Sequence, residues 1–135
     1  MTETTASSVS PERTTVDVAR VTDLYVRFSH GDADVIDELF ADEVVAHLLG
    51  DTLLAADYAG KPALRDFIVR TIEMNHTERY VLDVEDVLVG SQHIAFTSQV
   101  TAVAVGSERK TVIRSHDIMH LNDQSKVDEM WSLTL

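Results

Sequence analysis

The sequence predicts an α+β fold, with three N-terminal helices packed on one face of a strongly curved, mostly antiparallel sheet. Three observations predict it. Apolar residues recur at helical spacing in the first half, as in Val21, Leu24, Tyr25 and Phe28. From residue 79 onward the runs lengthen and take the character of strands. Those runs are divided by turn signals at Gly90-Ser91, Gly106-Ser107 and Asn122-Asp123-Gln124-Ser125. Helices first and a hairpin meander afterwards lead to helices stacked on a sheet.

Residues 1–14 are rich in Thr, Ser and Glu and are expected to be a mobile tail, with a single domain over residues 15–135. The first helix is expected to start near Thr15 as N-cap, with Asp17 in its first turn, and to end at Gly31. Asp32 then caps a short acidic helix, Ala33 to Phe40, that keeps Val35, Ile36, Leu39 and Phe40 on one side. A brief strand, VVAHLL, ends at Gly50. Residues 51–60 are expected to form a loop, apolar enough at Leu53–Ala56 to act as a lid. Pro62 suits the first turn of a third helix, which buries Leu64, Phe67, Ile68, Thr71 and Ile72 and ends at Asn75-His76. Four strands follow, over 79–89, 92–105, 109–121 and 126–134.

A chain of 135 residues has room for one core and one pocket. The net charge of −12 disfavours nucleic acid, whose phosphates need clustered Lys and Arg, and equally an anionic membrane surface. Cys is absent, which excludes disulfides, thiolate nucleophiles and Cys-based metal sites. The first residues lack the basic and apolar regions of a signal peptide, and no apolar run approaches the roughly 18–20 residues of a membrane span. A cytoplasmic protein is the expectation. Of the six histidines only His116 and His120 lie close in sequence, and on a strand they stand ~13 Å apart, too far for one ion. No metal and no cofactor is expected. His30, His76 and His93 fall at helix ends or turns and are expected to be solvated.

Two titratable residues stand out. His47 interrupts an otherwise apolar strand, where Val45, His47 and Leu49 share one face and Val44, Ala46 and Leu48 the other. It is either a desolvated base or a structural histidine hydrogen-bonded to a backbone carbonyl or a neighbouring strand. Asp117 shares its face with Met119 and Leu121, while Arg114, His116, Ile118 and His120 share the opposite one. The first face is the more apolar, so Asp117 is expected to point inward. There it would orient His47, donate from its protonated form to an oxyanion, or pair with Arg114 or Arg79. Tyr25, Phe28, Tyr58, Phe67, Met119 and Trp131 are candidate pocket walls, each with plain packing as the alternative.

The segments FADEVVAHLLG (40–50), YAGKPALRDFI (58–68), VEDVLVGSQHIAF (84–96) and SHDIMHLNDQSKVDEMWSL (115–133) carry a resemblance. They are similar to the SnoaL-like proteins of the nuclear-transport-factor-2-like superfamily, which includes ketosteroid isomerase. The resemblance covers nearly the whole chain from about Val16. It implies a cone-shaped roll with an apolar pocket at its open end, and a first strand that places His47 at the position of a proton-shuttling residue. It also implies that Trp131 sits near the pocket and that dimers are common. Two departures stand out: the turn before the last strand is longer than usual at Asp123-Gln124-Ser125, and the chain ends WSLTL, without a carboxylate just after Trp131. The expected function is a cofactor-independent acid–base enzyme for a small apolar carbonyl compound, acting as isomerase, polyketide-type cyclase or dehydratase, with His47 and Asp117 catalytic. The alternatives are a ligand-binding module without turnover, and a module that dimerises through the outer sheet face, where Thr97, Gln99, Thr101, Val103 and Val112 lie.

Overall fold

In the computed structural model, which describes residues 16–50, 54–74 and 78–134, helix α1 spans Val18–Ser29. Its stripe of Val21, Leu24, Tyr25 and Phe28 is buried as the spacing predicts. The cap is Asp17 rather than Thr15: its carboxylate accepts from the Arg20 N–H at 3.0 Å, satisfying one of the orphan donors of the first turn. The second helix is shorter than expected. A 3₁₀ turn, Ala33–Val35, leads into α2, Ile36–Leu39, and Phe40 is already extended. All four residues of the apolar stripe are nonetheless buried, Phe40 from the first position of strand β1, Phe40–Leu49.

Part of the expected 51–60 loop is a strand. β2, Ala56–Ala59, pairs antiparallel with β1, placing Asp57 opposite His47. Helix α3, Lys61–Met74, buries Leu64 and Ile68, but Ile72 is 45% exposed rather than part of the buried face. The expected helix end at Asn75-His76 lies outside the described residues. Strands β3 (Glu78–Val89), β4 (His93–Ala104), β5 (Lys110–Leu121) and β6 (Val127–Thr134) complete a six-stranded sheet. Its order is β2-β1-β6-β5-β4-β3, with β1 and β6 parallel and every other pair antiparallel.

Side-chain alternation assigns the faces. Val44 and Ala46 of β1, Ile94, Phe96 and Ser98 of β4, and Ser115, Asp117 and Met119 of β5 are buried toward the helices. Register shifts between Val84 and Asp86, between Phe40 and Val45, and between His120 and Leu121 interrupt the ladders. Such irregularities increase local twist and bend the sheet over α1 and α3. Gly50 terminates β1 at φ +116°, and a Cβ there would stand 2.8 Å from the Thr134 carbonyl oxygen. Only glycine lets the ends of β1 and β6 come this close, and that approach sets Leu48 beside the inner residues of β6.

Candidate functional site

The bent sheet and the helices leave two adjoining cavities. The inner one has a volume of about 120 Å³. Its walls are Tyr25, Phe28 and Ser29 of α1, Leu64 and Phe67 of α3, and Leu48, Leu82, Ser115, Asp117, Met130 and Ser132 from the sheet. The outer one has a volume of about 280 Å³ and shares Ser29, Phe67, Leu82 and Ser115 with the first. Leu54, Val100 and Ile113 are among its further walls.

Asp117 is the polar centre of the inner chamber and is 5% exposed. Its Oδ2 accepts hydrogen bonds from the hydroxyls of Tyr25 and of Ser115, the latter at 3.3 Å. Its Oδ1 is buried with no hydrogen-bond partner among the described residues. Burial pushes the Asp117 carboxyl up from its ordinary value; the Ser132, Tyr25 and Ser115 hydroxyls and the His116 charge pull the other way without cancelling that push. An ionised carboxylate in apolar surroundings with one oxygen unpartnered carries a penalty of several kcal/mol, and taking up a proton removes it. With two donors already on Oδ2, the proton belongs on Oδ1, which turns the free oxygen into a donor. Burial also raises the Tyr25 phenol, reinforced by the Asp117 charge and hydrogen bond, so Tyr25 keeps its proton. Tyr25 is fixed from behind by Phe96, stacked at 4.1 Å with the rings 1° from parallel. Asp117 makes no pair with Arg114, whose guanidinium contacts Glu85 instead.

His47 does not share this chamber. Its side chain lies on the outer face of β1 and is 24% exposed. Nδ1 meets Asp57 and Nε2 meets Glu129, each at 2.8 Å. Both ring nitrogens therefore donate to carboxylates, the signature of an imidazolium. The Asp57 hydrogen bond first, and then that of Glu129, raise the ring above its ordinary value against a smaller effect of desolvation. The expectation of a desolvated neutral base facing the pocket is thus corrected. Both faces of β1 are apolar in sequence, and the face that turns inward carries Val44, Ala46 and Leu48.

Other expected walls divide. Tyr25, Phe28 and Phe67 line the inner chamber. Trp131 does not: it stacks on His47 at 5.9 Å, on the outer face. The Tyr58 hydroxyl donates to the Leu54 carbonyl at 2.7 Å, and its ring meets Phe67 edge-on at 5.4 Å, so it backs the pocket wall from outside. Met119 is fully buried in the core and reaches neither cavity. His30, expected to be solvated, lines the outer chamber, its Nδ1 on the Val26 carbonyl at 2.9 Å and its Nε2 accepting from the Leu82 N–H at 3.3 Å. Ser115 and Ser132 were not singled out from the sequence. The signal for Ser115 was present, since it stands two residues before Asp117 and shares its face. Among the described residues no group of three His, Cys, Asp or Glu is arranged to hold a metal ion.

Solved structures share this architecture at low identity. An NTF2-like protein from Burkholderia xenovorans LB400 is 15% identical with a TM-score of 0.71, over 92% of this chain and 89% of that one. A protein with a ketosteroid isomerase-like fold from Catenulispora acidiphila DSM 44928, solved in complex with trimethylamine, is 8% identical with a TM-score of 0.67, over 87% and 85%. SalBIII, an epoxide hydrolase/cyclase-like enzyme in pyran ring formation in the polyether salinomycin, is 15% identical with a TM-score of 0.63, over 88% and 93%. At these identities the likeness is one of fold. No curated protein matches the sequence. The family model of the SnoaL-like domain matches residues 21–130, most of the described α+β unit. The chain belongs to the SnoaL-like domain family.

Proposed function

We propose that the protein is an acid–base enzyme for a carbonyl compound, with Asp117 as the group that moves the proton. The observation that supports this reading above all is the buried Asp117 carboxyl on the wall of the inner chamber, whose Oδ1 has no hydrogen-bond partner among the described residues. The protonated carboxyl donates to the carbonyl oxygen. As the proton passes over, Oδ1 takes up negative charge and the Tyr25 and Ser115 hydroxyls on Oδ2 hold the carboxylate. That carboxylate then takes a proton from the carbon next to the carbonyl. The carboxyl is restored and the substrate leaves as its enol, so protons balance within one residue. An enol in an apolar chamber is the common starting point for isomerisation and aldol-type cyclisation, and the same acid assists loss of water. His47, doubly engaged on the outer face, has no part in this step.

The test is hydrogen–deuterium exchange of cyclohexanone in D₂O, followed by proton NMR. The wild type should accelerate exchange at the carbons flanking the carbonyl. Asp117→Asn should lose that acceleration by a factor of about 10²–10⁴, the usual weight of a positioned acid–base group. Exchange at the buffer rate, or an undiminished rate in Asp117→Asn, would overturn the reading.

A second reading is binding without turnover. The fold neighbour that holds trimethylamine favours a small alkylammonium ion, for which the Tyr25, Phe28 and Phe67 rings and an ionised Asp117 would be suitable partners. The two readings have opposite pH signs. Ammonium affinity should rise with pH through the Asp117 pKa, and carbonyl affinity should fall. The partner proposed alongside either reading is a second copy of the chain, docked through the outer face of the sheet.

A further inference from the structure

The two cavities meet at a junction ringed by Ser29 of α1, Phe67 of α3, Leu82 of β3 and Ser115 of β5. Four elements thus converge where one chamber gives way to the other. The inner chamber, about 120 Å³, is somewhat smaller than the ~150 Å³ apolar cavity that accommodates a benzene ring. It has room for one six-membered ring beside Asp117 and little more. The outer chamber, about 280 Å³, is more than twice as large. Its character differs from the first. Leu54, Phe67, Leu82, Val100 and Ile113 provide apolar walls. The polar groups of two further wall residues are already engaged: Thr71 Oγ1 donates to the Phe67 carbonyl at 2.9 Å, and both His30 nitrogens meet backbone groups.

We infer that the two chambers form one bipartite site for an elongated ketone, with a small carbonyl head held against Asp117 and an apolar tail passed between Phe67 and Leu82 into the outer chamber. This inference rests on the carbonyl reading of Asp117 and adds the shape of the substrate. A ring of side chains from four elements admits a flexible linker more readily than a broad rigid polycycle. The head is sorted by hydrogen bonding to the Asp117 carboxyl, and the tail by apolar area. The substrate class is therefore a cyclic or short ketone extended in one direction by an alkyl or similarly slender apolar group.

Calorimetric titration of the wild type with cyclohexanone and with 4-pentylcyclohexanone tests this. Each buried methylene is worth about a fourfold gain in affinity, and ordering the tail takes part of that back, so the pentyl compound should bind at least roughly fiftyfold tighter. Thr71→Trp and Val100→Phe fill the outer chamber from α3 and from β4. Each should erase the pentyl gain and leave cyclohexanone binding unchanged. Two variants from different elements are used so that misfolding of one does not decide the result. A pentyl gain below about threefold, or a gain that survives both variants, overturns the bipartite site even if cyclohexanone still depends on Asp117. Failure of the underlying reading looks different: cyclohexanone would then bind as tightly to Asp117→Leu, which has no donor at that place, as to the wild type.

Discussion

Asp117 is kept where it is at a thermodynamic cost, and that cost has a pH signature. Its folded-state pKa is raised above the unfolded value by burial. The folded protein therefore holds a proton that the unfolded chain releases, and the stability attached to this group is full below the unfolded carboxylate pKa of about 3.9 and declines as pH rises through the folded value. Asp117→Asn removes the titration while keeping an oxygen that accepts from Tyr25. The stability of Asp117→Asn minus that of wild type should grow as pH rises above the unfolded carboxylate value of about 3.9, and level off only once the folded carboxyl has ionised, as read from thermal midpoints. A difference that stays flat across this range would sink the argument. Sites that hold a strained or desolvated group commonly trade stability for chemistry in this way. The inward direction of Asp117 was legible because one face of its strand is plainly the more apolar. His47 was not legible, because both faces of β1 are apolar and neither decides. What decides is the pair of carboxylates flanking it, Asp57 ten residues away and Glu129 eighty-two residues away. No periodicity within β1 reports on partners that distant.

At the scale of elements, His47 is a clamp across three strands. It sits on β1 and bonds Asp57 of the edge strand β2 and Glu129 of β6, with the Trp131 ring stacked beside it. Among the described residues strand β2 has four residues and pairs with β1 alone, so this clamp is a material part of what holds the sheet edge. The sequence ADYA, without apolar alternation, reads as loop, and only pairing with β1 makes it a strand. The longer strands and the α1 stripe were legible because each carries its own period over at least ten residues. The clamp needs a charged imidazole. His47 has a raised folded pKa, so its stabilisation is full below about pH 6.5 and is lost as pH rises through the raised value. The opposing charges facing it are Asp57 from β2 and Glu129 from β6. His47→Gln keeps a neutral donor at the same place. The wild type should exceed it in thermal midpoint at about pH 6 and lose that advantage as pH rises through the raised value, with amide exchange in 56–59 accelerating over the same interval. An advantage independent of pH would mean that the ring contributes shape and not charge.

On the scale of the whole molecule, the outer face of the sheet is less polar than a solvated face needs to be. Ile118 is 44% exposed and pairs across the ladders with Ala95 on one side and Trp131 on the other. The next row runs from His116 to Leu133 and on to Leu49, and both leucines are exposed. Val112, further along β5, is more exposed still. Contiguous apolar surface on a sheet face marks an interaction site, and a two-fold dimer needs no more than one self-complementary patch. The chain's net charge of −12 opposes self-association, so a second copy would dock first on the uncharged side chains of this face, Ala95, Ile118, Trp131 and Leu133. Light scattering should give twice the chain mass for the wild type at tens of micromolar, with association strengthening as salt screens the repulsion. Ile118→Glu puts a charge at the centre of the patch on both copies and should give the single-chain mass with an unchanged fold by circular dichroism. If the wild type is already monomeric at high salt, or if Ile118→Glu leaves a dimer intact, the outer face is not the contact. Because Trp131 and the His47 clamp lie on this same face, a dimer formed there would also bury the clamp. The pH at which His47→Gln becomes equivalent to wild type should then change with protein concentration, since burial between copies alters both the desolvation of the ring and its attraction to Asp57 and Glu129.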